Sequence, residues 1–267
     1  MHPAFALVSA SLLAGSALAQ TVSFLEPTDP RPALGEEIVL IQQRRDRDGN
    51  TTPFPWVVPH RLYHKSAFTQ HNLHDPAADA PDAGEGAGGL RFTPDHPGEW
   101  MIGADLPEHI EPLPTAELRA FLAEHVPAAS GIELPRATVR VRRVESMTTS
   151  FLAPGEAVNV SIWKNGQRVE IRPLLDPLTA EAPSTILARV YVDGTDRPGA
   201  RLRATHVPTG RSSFAMSDAK GIAQVVIDAP GAWRLEFHHA VVPPEGATTH
   251  DVTLYTSTLT FVNGAQP

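Results

Sequence analysis

Apolar and polar residues alternate with period two in short runs along most of this chain, the mark of half-buried strands. In the first half the alternation predicts strands at Thr21 to Leu25, Glu37 to Gln43, Val57 to Tyr63, Leu90 to Thr93 and Trp100 to Ala104. Ala137 to Val144 is a further strand, at the junction of the halves. The second half predicts eight more: 157–162, 168–172, 185–192, 200–206, 212–216, 222–227, 233–241 and 252–261. Asn165-Gly166, Asp193-Gly194 and Ser217-Asp218-Ala219-Lys220-Gly221 supply turn chemistry between them. One stretch has the other period. Leu118, Phe121, Leu122 and Val126 share a helical face, with Thr115 as the expected N-cap and Pro127 as the stop.

Two phrases occur twice. Asp95-His96-Pro97-Gly98-Glu99-Trp100 is matched by Asp228-Ala229-Pro230-Gly231-Ala232-Trp233, and Gly35-Glu36 by Gly155-Glu156. Proline presets φ in a turn and glycine accepts positive φ after it, so Pro-Gly reads as a turn. The following tryptophan then starts a strand and plugs a core. A duplicated order of signals predicts an all-β chain of two β-sandwich domains, 20–136 and 137–267. The helix, at about 115–126, closes the first.

Residues 1–19 read as a signal peptide: Ala4 to Ala19 is apolar with small residues, and Ala17-Leu18-Ala19 is an A-x-A cleavage site. The mature chain then begins at Gln20 and is periplasmic or secreted. With no cysteine in 267 residues, disulfides and a lipidated terminus are excluded, so stability must come from packing. A net charge of −8 disfavours nucleic acid and anionic membrane. Direct membrane insertion after cleavage is not expected. Residues 77–89, rich in Ala, Asp and Gly, read as an acidic loop.

The order of several motifs carries a family resemblance. Glu170-x-x-Pro173, Asp176-Pro177, Asp193-Gly194, Pro198-Gly199-Ala200, Ser217-Asp218-x-x-Gly221, Pro230-Gly231-x-Trp233 and Tyr255-x-Ser257-x-Leu259-Thr260-Phe261 follow one another as in one bacterial group. The chain resembles the exported domain-of-unknown-function 4198 family, whose members carry the label of a periplasmic component of cobalt or nickel uptake. The resemblance covers most of 167–261 and, more loosely, 35–104. It implies sandwich domains of immunoglobulin-like or transthyretin-like build. Members of that family often open the mature chain with a histidine, whereas this one opens with Gln20.

Neutral imidazole binds Ni²⁺, Co²⁺ and Cu²⁺. His60, His64, His71 and His74 form the first candidate metal set, and His238, His239 and His250 the second. If residues 57–64 are extended, His60 and His64 share a face but stand about 13 Å apart. Solvated loop histidines are the competing reading. On the last long strand, His239 should point to the core end and His238 outwards. No cysteine nucleophile, Gly-x-Ser-x-Gly elbow, phosphate loop or zinc-protease helix is present, so no catalytic residue is expected. The reading is a non-enzymatic periplasmic binding or accessory protein, with a transition-metal ion as the candidate ligand. A transporter component or another envelope protein is the expected partner. The alternative is a structural or adhesive envelope module for a protein or glycan.

Overall fold

The computed structural model describes residues 22–46, 50–53, 55–66, 70–73, 89–134, 136–155, 159–246 and 249–264. The expected signal peptide, most of the expected acidic loop and His74 lie outside these residues. In chain order the strands are β1 (Val22–Pro27), β2 (Ile38–Arg45), β3 (Thr51–Pro53), β4 (Arg61–Ser66), β5 (Gln70–Leu73), β6 (Gly89–Phe92), β7 (Gly98–Asp105) and β8 (His109–Pro114). Helix α1 (Thr115–His125) follows. Then come β9 (Thr138–Ala153), β10 (Val169–Pro173), β11 (Ser184–Val192), β12 (Thr195–Asp196), β13 (Arg201–His206), β14 (Arg211–Met216), β15 (Ile222–Ile227), β16 (Gly231–Val241) and β17 (Val252–Asn263). The all-β sandwich class expected from the alternation is what the chain adopts.

The arrangement of the layers differs from two sandwiches in tandem. A nine-stranded sheet runs β14-β13-β16-β17-β9-β7-β4-β5, with β8 also on β9. The sixteen-residue β9 makes this possible. It pairs in parallel with β17 and antiparallel with β7, so strands of both halves share one sheet. The expected division at 136/137 therefore falls just before the strand that joins the halves.

Each face of this sheet carries a smaller one. Val144 of β9 packs with Ile171, Ile186, Val225, Leu235 and Phe237 in one core, against the sheet of β10, β11, β12 and β15. Met147, Phe151 and Ala153, on the other face of β9, pack with Leu25, Leu40, Leu90 and Trp100, against the sheet of β1, β2, β3 and β6. A third cluster seats Leu118, Phe121 and Leu122 of α1 on Val139, Val141, Val252 and Leu254. The central strands are thus covered on both sides, and β7 is buried at every position.

The duplicated phrase is a duplicated structure. Gly98 and Gly231 hold φ of 102° and 123°, values that a side chain rarely tolerates. Trp100 Nε1 donates to His96 O at 3.0 Å, and Trp233 Nε1 to Ala229 O at 3.0 Å. Pro97 lies against Gly155 beyond the end of β9, and Pro230 against Gly264 beyond the end of β17. Both indoles are buried at the same end of the sheet, Trp100 in the core with Phe151 and Trp233 on the opposite face with Phe261.

Three expectations are corrected. Residues 159–162 lead into a turn closed by Trp163 N donating to Val160 O, not the end of a strand; the expected opening at 157–158 lies outside the described residues. The strand expected at 57–63 begins only at Arg61, after the proline at 59. Pro114, not Thr115, occupies the N-cap; the Thr115 hydroxyl donates instead to Arg136 O and ties the helix start to the approach of β9.

One ionic contact joins the layers. Arg45 of β2 donates from Nη2 to Glu236 Oε1 and Oε2 of β16 at 2.9 and 2.7 Å, and from Nε to Oε1 at 3.2 Å. Arg234 Nε also donates to Glu236 Oε1, and its guanidinium stacks over Phe24 of β1 at 4.2 Å. Burial alone would raise the Glu236 carboxyl, but Arg234 and Arg45 hold it down to about 2. Removing one partner of a buried pair strands the other charge, so Arg45→Met is expected to lower stability by about 3 kcal/mol in urea unfolding. A loss below about 1 kcal/mol would show that Arg234 alone suffices for Glu236. Trp233→Ala is expected to lower stability by about 3–5 kcal/mol by the same measurement, as loss of a core plug. A near-neutral effect would mean that the indole is not part of the packed core.

Candidate functional site

The first candidate histidines do not assemble a described site. The His60 backbone N–H donates to Asp105 O, and its Nδ1 is 3.1 Å from Leu106 O. His64 lies in β4, stacked 5.7 Å from Trp100 and edge-on to Phe92 at 5.6 Å. The segment between them is extended, so four residues of strand keep the two rings apart. The β4–β5 register sets His64 opposite His71, a pairing the sequence did not show. His74 lies outside the described residues. Among the described residues, no group of three or more His, Asp or Glu could hold a metal ion.

The second set is split by the sheet. His250 is held by its own turn, with Nδ1 2.8 Å from Thr249 Oγ1 and Nε2 2.8 Å from Thr253 Oγ1. His238 and His239 are neighbours on β16 and point to opposite faces. The expectation that His238 faces outwards is corrected. Its face is covered by α1, and it is only 3% exposed. Its ring meets Phe121 and His125 of the helix, each at 5.0 Å between centroids. His239 is half-buried near Phe237 and Tyr255.

His125 is the residue that sequence reasoning missed. A signal existed: it follows Phe121 by four positions, on the stripe that packs against the sheet, and the two rings are 4.7 Å apart. A histidine ending an apolar stripe reads as polar, and only the partner strand shows what it meets.

A cavity of about 150 Å³ connects these groups. Strand β13 pairs with β16 no further than Leu202 opposite Phe237, whereas β16 continues to Val241 on β17. The open edge at 238–241 is roofed by the end of α1 and by Arg197 to Arg201. His125, His238, His239, Arg197 and Arg201 line the space, and no Asp or Glu does. His238 Nδ1 is 3.1 Å from Thr256 Oγ1. Burial, reinforced by His125, pushes His238 down to about 3; burial and Arg197 push His239 down to about 4. Both imidazoles are neutral at neutral pH. A second cavity, about 210 Å³, lies beside Phe24, Trp233 and Phe261, and Glu26 is its one charged lining residue.

Residues 120–241 match the family model of a domain of unknown function, DUF4198. The match agrees with the family resemblance carried by the motifs. The matched segment runs from within α1 to the last residue of β16, and so contains all five of the histidines and arginines named at the cavity. No curated protein sequence matches the chain. Among solved structures, the full ectodomain (Ig1–Ig3) of mouse nectin-like molecule 4 is 11% identical, with a TM-score of 0.20 over 92% of this chain and 65% of that one. Dimeric latent PorU from Porphyromonas gingivalis is 13% identical, with a TM-score of 0.19 over 89% of this chain and 20% of that one. The chain spans less than two thirds of either, and likeness this low carries no function across.

The two tryptophan phrases differ at two positions, His96 against Ala229 and Glu99 against Ala232. Glu99 is buried, and its carboxylate accepts the Val160 N–H at 2.5 Å. Burial raises its carboxyl to about 7, against the partial relief given by Ser161. The folded state therefore holds a proton between about pH 4.5 and 7 that the unfolded chain has released. Stability should fall as pH rises through that window. Glu99→Gln is expected to remove the decline and to add about 1–3 kcal/mol at pH 8 relative to wild type. Urea midpoints at pH 5 and pH 8 test this; equal slopes in the two proteins would assign the proton to another group.

Proposed function

We propose that this protein is an exported, non-enzymatic binding or accessory module of the cell envelope, with its ligand site at the β16 edge. The observation that carries this reading is the cavity itself. It gathers neutral histidines and arginines without a nucleophile or a pair of carboxylates, a set suited to holding a ligand rather than converting one. The apolar leader with its Ala17-x-Ala19 site supports export, and no described helix is long and apolar enough to cross a membrane.

Nickel or cobalt uptake, which the family label implies, draws no support from the described histidines. Their side chains stack in the core, bond to backbone or threonine, or stand beside arginines. A structural or adhesive role remains as a second reading on a separate observation. Edge strand β14 exposes Phe214 and Met216, surface that an envelope protein could cover.

Export is tested by expressing the full chain in a Gram-negative host and analysing the osmotic-shock fraction by mass spectrometry. The expected product begins at Gln20. Intact chain carrying Met1, recovered from cytosol or membrane, would reject the export reading.

A further inference from the structure

We infer that the cavity at the β16 edge is a site for a small oxyanion. The inference rests on the binding-module reading and names the ligand class of its site. Three nitrogens on cavity-lining residues are buried without a hydrogen-bond partner among the described residues: His238 Nε2, His239 Nε2 and Arg197 Nε. Each such nitrogen is costly to leave unpaired, and all three belong to residues that line one cavity.

The tautomer of His238 fits a donor role. The Thr256 hydroxyl can donate to Nδ1, which leaves the proton on Nε2. Arg197 can only donate. Its neighbour Arg201 adds positive charge at the rim, although one of its nitrogens is engaged by Glu124 O. The nearby carboxylates do not compete. Glu236 is claimed by Arg45 and Arg234, and Glu124 lies outside the lining, 3.6 Å from His125 Nε2. A cation would meet two guanidinium groups and no carboxylate in this lining. An oxyanion would accept from several N–H groups at once, in charge-assisted bonds.

The opposite facing of His238 and His239 makes this possible. Where β13 stops short, the edge of β16 is open, and residues from both faces can reach one space. About 150 Å³ admits inorganic phosphate or a short carboxylate.

The test titrates the mature chain with inorganic phosphate and, separately, with acetate. Calorimetry and the histidine Cε1–H resonances report binding. Saturable binding of at least one anion is expected, with perturbed His238 and His239 signals; preference between the two tells a tetrahedral from a planar ligand. Arg197→Met and His239→Phe should each weaken binding about tenfold or more while leaving the melting temperature within a few degrees. Arg197 is only half-buried, so its variant keeps the test valid if a histidine variant fails to fold. No saturable binding of either anion would overturn the inference. So would binding that survives both substitutions, or Ni²⁺ or Zn²⁺ saturating the same histidines. Recovery of a Gln20 terminus from the periplasm is independent of all these outcomes, so export can stand where the oxyanion site fails.

Discussion

A sheet covered on both faces leaves its central strands no solvent side. Every residue of β7, nearly every residue of β17, and Trp233 to His238 of β16 must satisfy a layer above or below. This constraint orders the rest of the structure. The face towards β10, β11 and β15 is filled with apolar side chains at the period-two positions. The other face of β16 and β17 carries Arg234, Glu236 and His238 beside Thr256, Thr258 and Thr260. Those polar groups are buried because β1, β2 and α1 lie over them. Thr258 and Thr260 donate to the Ser23 and Leu25 carbonyls of β1, and Arg45 of β2 closes on Glu236. The two layers meet there through hydrogen bonds and charge, and through apolar packing further along.

The same constraint creates the candidate site. A fully covered sheet has little room for a ligand except where a strand ends early. β13 ends against β16 before β16 itself ends, and α1 roofs the gap without filling it. Histidines and arginines meet there, and burial removes the proton from the imidazoles of His238 and His239. The resulting space is small and lined by histidines and arginines.

Much of the fold was legible in the chain. Periodicity located most of the strands of the second half to within a few residues, since alternation of side chains is a local property of extended backbone. The Asp-x-Pro-Gly-x-Trp phrase announced two equivalent core plugs. Its turn, its indole-to-carbonyl bond and its left-handed glycine all lie within six residues. The helix was legible from four apolar residues on one face. The Gly-Glu phrase misled because a turn signal followed by alternation can be consumed by a loop, as at 159–162.

The sequence by itself determined element type, the end-plugging tryptophans and the dependence on packing without disulfides. Only the tertiary structure decided that the halves share one sheet, because strand partners are chosen by contacts distant along the chain and β9 can pair on both edges. It alone decided that His238 is buried, since alternation says which residues share a face and not what covers that face. It also decided that His125 meets His238 across 113 residues of chain, while His238 and His239, adjacent in sequence, lie on opposite sides of a sheet. Convergence of side chains depends on which surfaces meet, and that is a property of the packed layers.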